Sequence, residues 1–404
     1  HPDILFNLAR ALHALNRHDE ALDKYHEVLA LQPGNTRVQF AMGELLADRG
    51  RLTEAIRHYE RLSAMEPDNS RLLAALAGLE KDCGELDKAI SHYRQAIGID
   101  PGIRGLYSNY LMTLNYADQL DSREVARLHK EWGEDFGSRH PPEFTHGPLP
   151  EADQLTVGYV SHDFRSHSVA FFLEPVLASH DRDRFRTICY STLGQHMEDE
   201  TTRRIRDVAA CWRDITDMTD AEAARQIHAD RVDILVDVSG HTAWNRLGIF
   251  ARRPAPVQIT WLGYPNTTGL ATMDYRITDA VTDPAGSNSD CYSEKLLRLP
   301  RIFLTYQAPA VNTIPADPPN AQNGYITFGS FNTLPKITAG VMEAWCALLR
   351  QVADSRLLVK NHGFIDAAIR ERFLDFFKSR AIEPGRVELL PPSPTLAEHL
   401  EVYN

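Results

Sequence analysis

His167, His241 and Lys336 each fall in a short polar loop that directly follows a run of β-branched and apolar residues. In open α/β sheets ligands collect outside the carboxyl ends of the strands, so such loops are where side chains meet substrate. Four loops qualify: 161–168 after the run 155–160, 239–242 after 233–238, 262–269 after 257–261, and 330–336 after 325–329. They carry His162, Asp163, Arg165 and His167; Gly240, His241 and Thr242; Tyr264, Asn266 and Thr267; and Asn332, Thr333 and Lys336. Polar and cationic groups converging on one sheet edge suit an anionic, polyhydroxylated ligand. His167 is placed to act as a general base near neutrality, and equally to cap the helix expected from Ser168. The same two readings apply to His241. Lys336 stands where a loop meets a helix start at Ile337, beside exposed backbone N–H groups, which suits a diphosphate leaving group. A merely solvated lysine is the alternative.

Other chemistry is missing from the chain. There is no GxGxxG, no GxxxxGK[ST] and no HExxH. The DxD at Asp181 and Asp183 follows a helix and abuts basic residues, so it reads as a solvated turn. No other cluster has metal-ligand spacing, and neither a metal nor a cofactor is expected.

The elements that must position these loops alternate. Beyond residue 153, runs at 155–160, 186–190, 233–238, 257–261 and 275–278 read as strands, with helical stretches such as 221–228 between them. That alternation predicts a parallel, doubly wound sheet. A second α/β series runs through 325–329, 356–359 and 386–389, joined to the first by the Pro- and Asn-rich stretch 308–323. Only 82 residues remain from Asn323 to the end, so this second lobe reads as truncated.

Before residue 103 the period is different. Pro33, Pro67 and Pro101 are 34 residues apart, as are Ala21, Ala55 and Ala89, and Tyr25, Tyr59 and Tyr93. Three residue types in one register define a repeat of paired helices, each helix apolar at helical spacing. The pattern resembles the tetratricopeptide repeat. Such units bury their apolar faces by stacking and leave a groove suited to a protein or peptide partner. The start at His1 suggests that further units stood upstream. Residues 103–137 stay helical without the repeat signature, and the proline-rich stretch 140–150 reads as a hinge. The expected domains are therefore repeats at 1–102, a helical cap and hinge at 103–150, a first α/β lobe at 151–310, and a linker with a partial second lobe at 311–404.

Composition narrows the class. Lys and Arg total 43 against 55 Asp and Glu, a net charge of −12, which argues against a nucleic-acid partner. No apolar run approaches the ~18–20 residues that cross a bilayer, so no membrane partner is expected. The 5 cysteines form no CxxC, which fits a reducing cytoplasm rather than a disulfide scaffold or zinc ribbon.

Repeats, hinge and loops together make the chain similar to bacterial members of the O-linked N-acetylglucosamine transferase family. The resemblance rests on VGYVSHDFRSHSVAFF (157–172), RPAPVQ (253–258), WLGYP (261–265), MDYRITD (273–279), YSEKL (292–296) and FNTLP before Lys336. It implies the fold class α + α/β: a tetratricopeptide-repeat superhelix followed by a GT-B glycosyltransferase region of two Rossmann-like lobes. It further implies metal-independent, inverting transfer of N-acetylglucosamine from UDP-GlcNAc to Ser or Thr of protein acceptors, releasing UDP. By position His167 matches the family's active-site histidine, Lys336 the lysine that neutralises the leaving diphosphate, and His228 falls near a second polar active-site position. His399 resembles the histidine that stacks on uracil, within a donor-binding stretch that begins at Ser393. His241 and Tyr264 belong to loops implied to border the active site.

Two departures stand out. The family's asparagine ladder along the repeats would need Asn at the positions matching Asn7, which here are Ala41 and Ala75. The Gly/Thr-rich loop that completes the nucleotide pocket is expected beyond Asn404. The segment from His167 to Phe172 is also similar to SPINDLY-type O-fucosyltransferases, which use GDP-fucose. A repeat adaptor that binds a nucleotide sugar without catalysis is the reading from another class.

Overall fold

The computed structural model describes residues 1–103, 105–147, 153–286, 289–308 and 317–404. Its chain forms two compact units. One comprises His1–Leu106, Tyr116–Asp118 and Val311–Asn404; the other comprises Tyr107–Asn115 and Gln119–Ala310. Pro148 and Pro150 of the expected hinge, and residues 309–316 of the expected linker, lie outside the described residues.

The first unit begins with three helix pairs: α1 (Pro2–Ala14) with α2 (His18–Leu31), α3 (Thr36–Asp48) with α4 (Leu52–Met65), and α5 (Ser70–Asp82) with α6 (Leu86–Ile99). The repeated residues are the ones that disappear from solvent. Ala21, Ala55, Ala89, Tyr25, Tyr59 and Tyr93 are all buried. Gly43 explains one of these packings, because a Cβ there would run into the Tyr59 ring. Each repeat Pro opens a turn, and Asn35 and Asn69 then cap the next helix by accepting from the N–H of Val38 and Leu72.

The second unit opens with α7 (Leu106–Leu114) and α8 (Ser122–Arg139), the helical stretch expected after the repeats. A seven-stranded sheet follows, made of β1 (Leu155–Ser161), β2 (Phe185–Ser191), β3 (Cys211–Asp214), β4 (Ile234–Asp237), β5 (Val257–Thr260), β6 (Tyr275–Asp279) and β7 (Lys295–Leu299). All pairings are parallel in the order β3-β2-β1-β4-β5-β6-β7. The strand order reverses between β1 and β4, which in a doubly wound sheet marks the ligand crevice. Helices α9 (Ser168–Ser179), α10 (Glu200–Val208), α11 (Asp220–Ala229) and α12 (Leu247–Ala251) connect the strands. Capping boxes at Asp199 and Thr219 start α10 and α11. The two strands that the sequence pattern left out, β3 and β7, are the edges of the sheet. Edge strands lack the continuous apolar run of a buried parallel strand, and the motifs CWRD and KLLRL show the difference.

The first unit resumes with α13 (Pro319–Asn323), β8 (Thr327–Ser330), α14 (Ala339–Gln351), β9 (Arg356–Lys360), α15 (Ala367–Ser379), β10 (Val387–Leu390) and α16 (Leu396–Glu401). Its three strands are parallel in the order β10-β9-β8. This sheet shares one hydrophobic core with the repeats: Tyr59, Leu72, Leu76 and Cys83 cluster with Leu334, Leu357, Phe364 and Phe373. Polar contacts reinforce the seam. The Thr53 N–H donates to Asp366 at 2.8 Å, and Arg372 pairs with Glu85 at 2.8 Å. Repeats and partial lobe, expected as separate domains, are therefore one packed body.

Candidate functional site

The site residues expected from sequence are divided between the two units. In the seven-stranded unit, His167 is the N-cap of α9, with Nδ1 accepting from the Val169 N–H at 3.3 Å. The carboxylate of Asp163, itself buried, lies 3.6 Å from the same nitrogen. These contacts demand different tautomers. While Nδ1 accepts the cap bond, the neutral ring carries its proton on Nε2 and has no base to offer there. A proton on Nδ1 facing Asp163 frees Nε2 but gives up the cap. The structural and the chemical readings of His167 are thus two tautomers of one residue.

The loops after β4 and β5 turn inward. His241 is completely buried, donating from Nε2 to the Thr268 carbonyl at 2.9 Å and accepting at Nδ1 from Ser108 Oγ at 3.0 Å. Tyr264 is buried too, donating to His129 Nε2 at 2.6 Å and accepting from the Asn115 amide at 2.8 Å. Glu294 holds Thr267 and Thr268 from beneath, through Thr267 Oγ1 at 2.6 Å and the Thr268 N–H at 2.7 Å. The side-chain polar atoms of His241 and Tyr264 are engaged within the unit, where these loops pack against α8, so neither side chain offers an atom for chemistry in this arrangement. His228 is corrected on position. It closes α11 before β4, at the amino end of the sheet, stacks on Phe144 at 4.3 Å, and lies on the edge opposite the ligand loops. Asp181 and Asp183 form the expected turn, with the Asp183 N–H on the Asp181 side chain at 3.0 Å.

Burial sets the protonation of this packed region. Desolvation lowers His129 to about 4 and, with the neighbouring His129 as a second cause, His241 to about 3. Both rings stay neutral in the fold, while an unfolded imidazole titrates near 6.5. Unfolding therefore takes up protons below about pH 6.5, and each histidine withdraws about 1.4 kcal/mol of stability per pH unit as pH falls toward about 4. Asp237, raised to about 6 by complete burial against the pull of its Thr260, Ser239 and Gly240 hydrogen bonds, opposes one of them between about 4 and 6. Denaturant midpoints should fall from pH 7 to pH 5, and a flat profile would contradict this account.

In the repeat-bearing unit, Lys336 ends the short 3₁₀ turn Leu334–Lys336 that follows β8. Leu334 and Pro335 are buried, whereas Lys336 is exposed and has no ion pair among the described residues. At the carboxyl end of β9 lies a group missed in the sequence: Lys360, 4% exposed. Its ammonium donates to Ser393 Oγ at 2.5 Å and to His399 Nδ1 at 3.1 Å, and lies 5.8 Å from the centre of the Phe331 ring. Burial pushes this amine down, and it has no carboxylate partner at ion-pair distance among the described residues. His399 is held down by burial and by that ammonium, and its ring meets Phe331 edge-on at 5.3 Å. The structure thus joins Ser393 and His399 to Lys360 in one cationic, aromatic corner at the carboxyl end of the strands. Among the described residues no group of three or more His, Cys, Asp or Glu side chains is arranged to hold a metal ion.

Comparison with known proteins finds relatives for both the repeats and the α/β region. Residues 135–308 match the glycosyl transferase family 41 model, and 12–79 and 46–110 match a tetratricopeptide repeat model. A solved lysine-to-methionine mutant of the Thermobaculum terrenum O-GlcNAc transferase superposes with a TM-score of 0.88 at 31% identity, covering 98% of this chain and 75% of that one. The chain belongs to glycosyl transferase family 41. Among its relatives, the probable UDP-N-acetylglucosamine–peptide N-acetylglucosaminyltransferase SPINDLY of Solanum lycopersicum is 41% identical over 313 residues, 76% of this chain and 33% of that protein. The corresponding SEC protein of Arabidopsis thaliana is 29% identical over 285 residues, 67% of this chain and 29% of that protein. The chain thus spans about a third of the length of these relatives.

Proposed function

We propose that this protein is a protein O-glycosyltransferase that moves N-acetylglucosamine from UDP-GlcNAc to Ser or Thr hydroxyls of acceptor proteins held by the repeats. It works in the cytoplasm, needs no cofactor or metal, and releases UDP. The observation that carries the reading is the paired cationic end of the three-stranded sheet. Lys336 is solvent-facing after β8, and Lys360 is buried at the end of β9 with Ser393 and His399. A buried ammonium already stripped of water, with no carboxylate partner at ion-pair distance among the described residues, is matched to an anionic ligand, and a leaving diphosphate is where charge develops. His399 and Phe331 supply ring surface for a base. On the other lobe His167, with its proton on Nδ1 facing Asp163, is the group that would take the hydroxyl proton.

O-fucosylation from GDP-fucose is the second reading, resting on the likeness of 167–172 to SPINDLY-type O-fucosyltransferases. Calorimetric titration with UDP, GDP, UDP-GlcNAc and GDP-fucose separates the two. UDP preference, with affinity reduced about tenfold in Lys360→Met and in His399→Ala, is the expected result. GDP preference would replace the donor. Binding of none, with acceptor proteins still captured, would leave the adaptor.

A further inference from the structure

The loops after β1 and β4 meet where the strand order reverses, and there one pair of rings has no task inside the protein. His162, 7% exposed, lies with Nδ1 3.0 Å from the Thr192 carbonyl oxygen. A carbonyl can only accept, so Nδ1 carries the proton and Nε2 presents a bare lone pair. That nitrogen is buried and has no hydrogen-bond partner among the described residues, and the same holds for the hydroxyl of Thr192. Trp244, from the loop after β4, stacks on the imidazole with centroids 5.5 Å apart and planes at 25°. Its indole is nevertheless 70% exposed, and its backbone sits in the left-handed region at φ +61. A bulky residue seldom adopts that conformation, and such departures gather at binding sites. The geometry is held in place by Asn245, whose amide donates to the Thr242 carbonyl at 2.9 Å and to Ser108 Oγ at 3.1 Å.

An exposed aromatic face and a buried acceptor without a donor, side by side, ask for one kind of ligand. It must offer a flat run of C–H groups to the indole and a hydroxyl to the imidazole. A pyranose ring has both, the C–H face and the hydroxyls being carried on one rigid ring. We propose that Trp244 and His162 form a sugar subsite on this lobe: the ring lies on the indole, which turns off the imidazole edge as a hydroxyl donates to His162 Nε2. This deepens the sugar-transfer reading and rests on it for where the sugar comes from, either the nucleotide donor or a sugar already attached to the acceptor.

The test uses free methyl glycosides of N-acetylglucosamine and fucose as probes, with binding followed by saturation-transfer NMR and by tryptophan fluorescence. Trp244→Ala is expected to weaken glycoside binding about tenfold and Trp244→Phe far less, the size of an aromatic stacking contact. His162→Phe keeps a ring under the indole but removes the acceptor, and should weaken binding while Tm is held. If the donor supplies the sugar, Trp244→Ala weakens UDP-GlcNAc or GDP-fucose binding but leaves UDP and GDP unchanged. If the acceptor supplies it, the loss shows with a glycosylated peptide instead. Glycoside binding equal in the wild type and Trp244→Ala, or a Trp244-dependent loss seen only with unglycosylated peptide, overturns the proposal. A protein that binds glycosides through Trp244 yet transfers no sugar would retain this inference and reject the transferase reading.

Discussion

Replacing Lys336 with alanine should lower turnover by about 10²–10³-fold, the usual cost of removing one group aimed at charge that develops in the transition state. Tm should not move. The side chain stands in solvent without an ion pair among the described residues, while the turn beneath it is held by buried Leu334 and Pro335. Nothing structural leaves with the ammonium. Single-turnover transfer with a labelled donor, alongside a thermal melt, makes the comparison. Retained turnover would remove Lys336 from the chemistry, and a large drop in Tm would make it a folding residue.

Gly133→Ala should have the largest effect on stability, at least about 3 kcal/mol, because no side-chain rotamer relieves a clash of backbone with backbone. A Cβ on Gly133 would fall on the carbonyl of Gly269, and a Cβ on Gly269, itself at φ +79, would fall on the carbonyl of His129. Helix α8 and the loop after β5 touch main chain to main chain there, over the His129–Tyr264 bond. The matched control lies one turn on: Gly137 is in the same helix with nothing within 4 Å of an added Cβ. Gly137→Ala should therefore leave stability unchanged or raise it by up to about 1 kcal/mol, the helix preference of Ala over Gly. Denaturant melts of the two variants give the answer, and equal effects would refute the close-contact account.

The parts of this protein that were legible in its sequence are those set by local repetition. The 34-residue register of Pro, Ala and Tyr reports buried positions that recur because each unit meets the same neighbour. The apolar runs of β1, β2, β4 and β5 report strands covered on both faces. What could not be read depends on partners far away in sequence. Lys360 ends a strand as an ordinary polar residue until Ser393 and His399 come round to it. His241 and Tyr264 look like loop residues because the helix that covers them, α8, ends more than a hundred positions earlier. His228 lies near a family position in the linear sequence, but it closes α11 ahead of β4 and so stands at the amino edge of the sheet. Trp244 gave no signal, since a left-handed backbone at a non-glycine residue has no composition of its own.

The seam between repeats and three-stranded sheet bears on how this chain can vary. In a free-standing solenoid each unit meets only its neighbours, so units can be added, deleted or exchanged. Here α4 and α5 are also a wall of the sheet's core, and Gly84, between the helices of the third pair, sits against the backbone of Leu334, two residues before Lys336. The first pair can be traded for another without touching that wall. The second and third cannot: replacing them would rebuild the ground on which the lysine loop stands. Sequence can thus diversify at the amino end of the array, while the carboxyl end is tied to the sheet that carries Lys336.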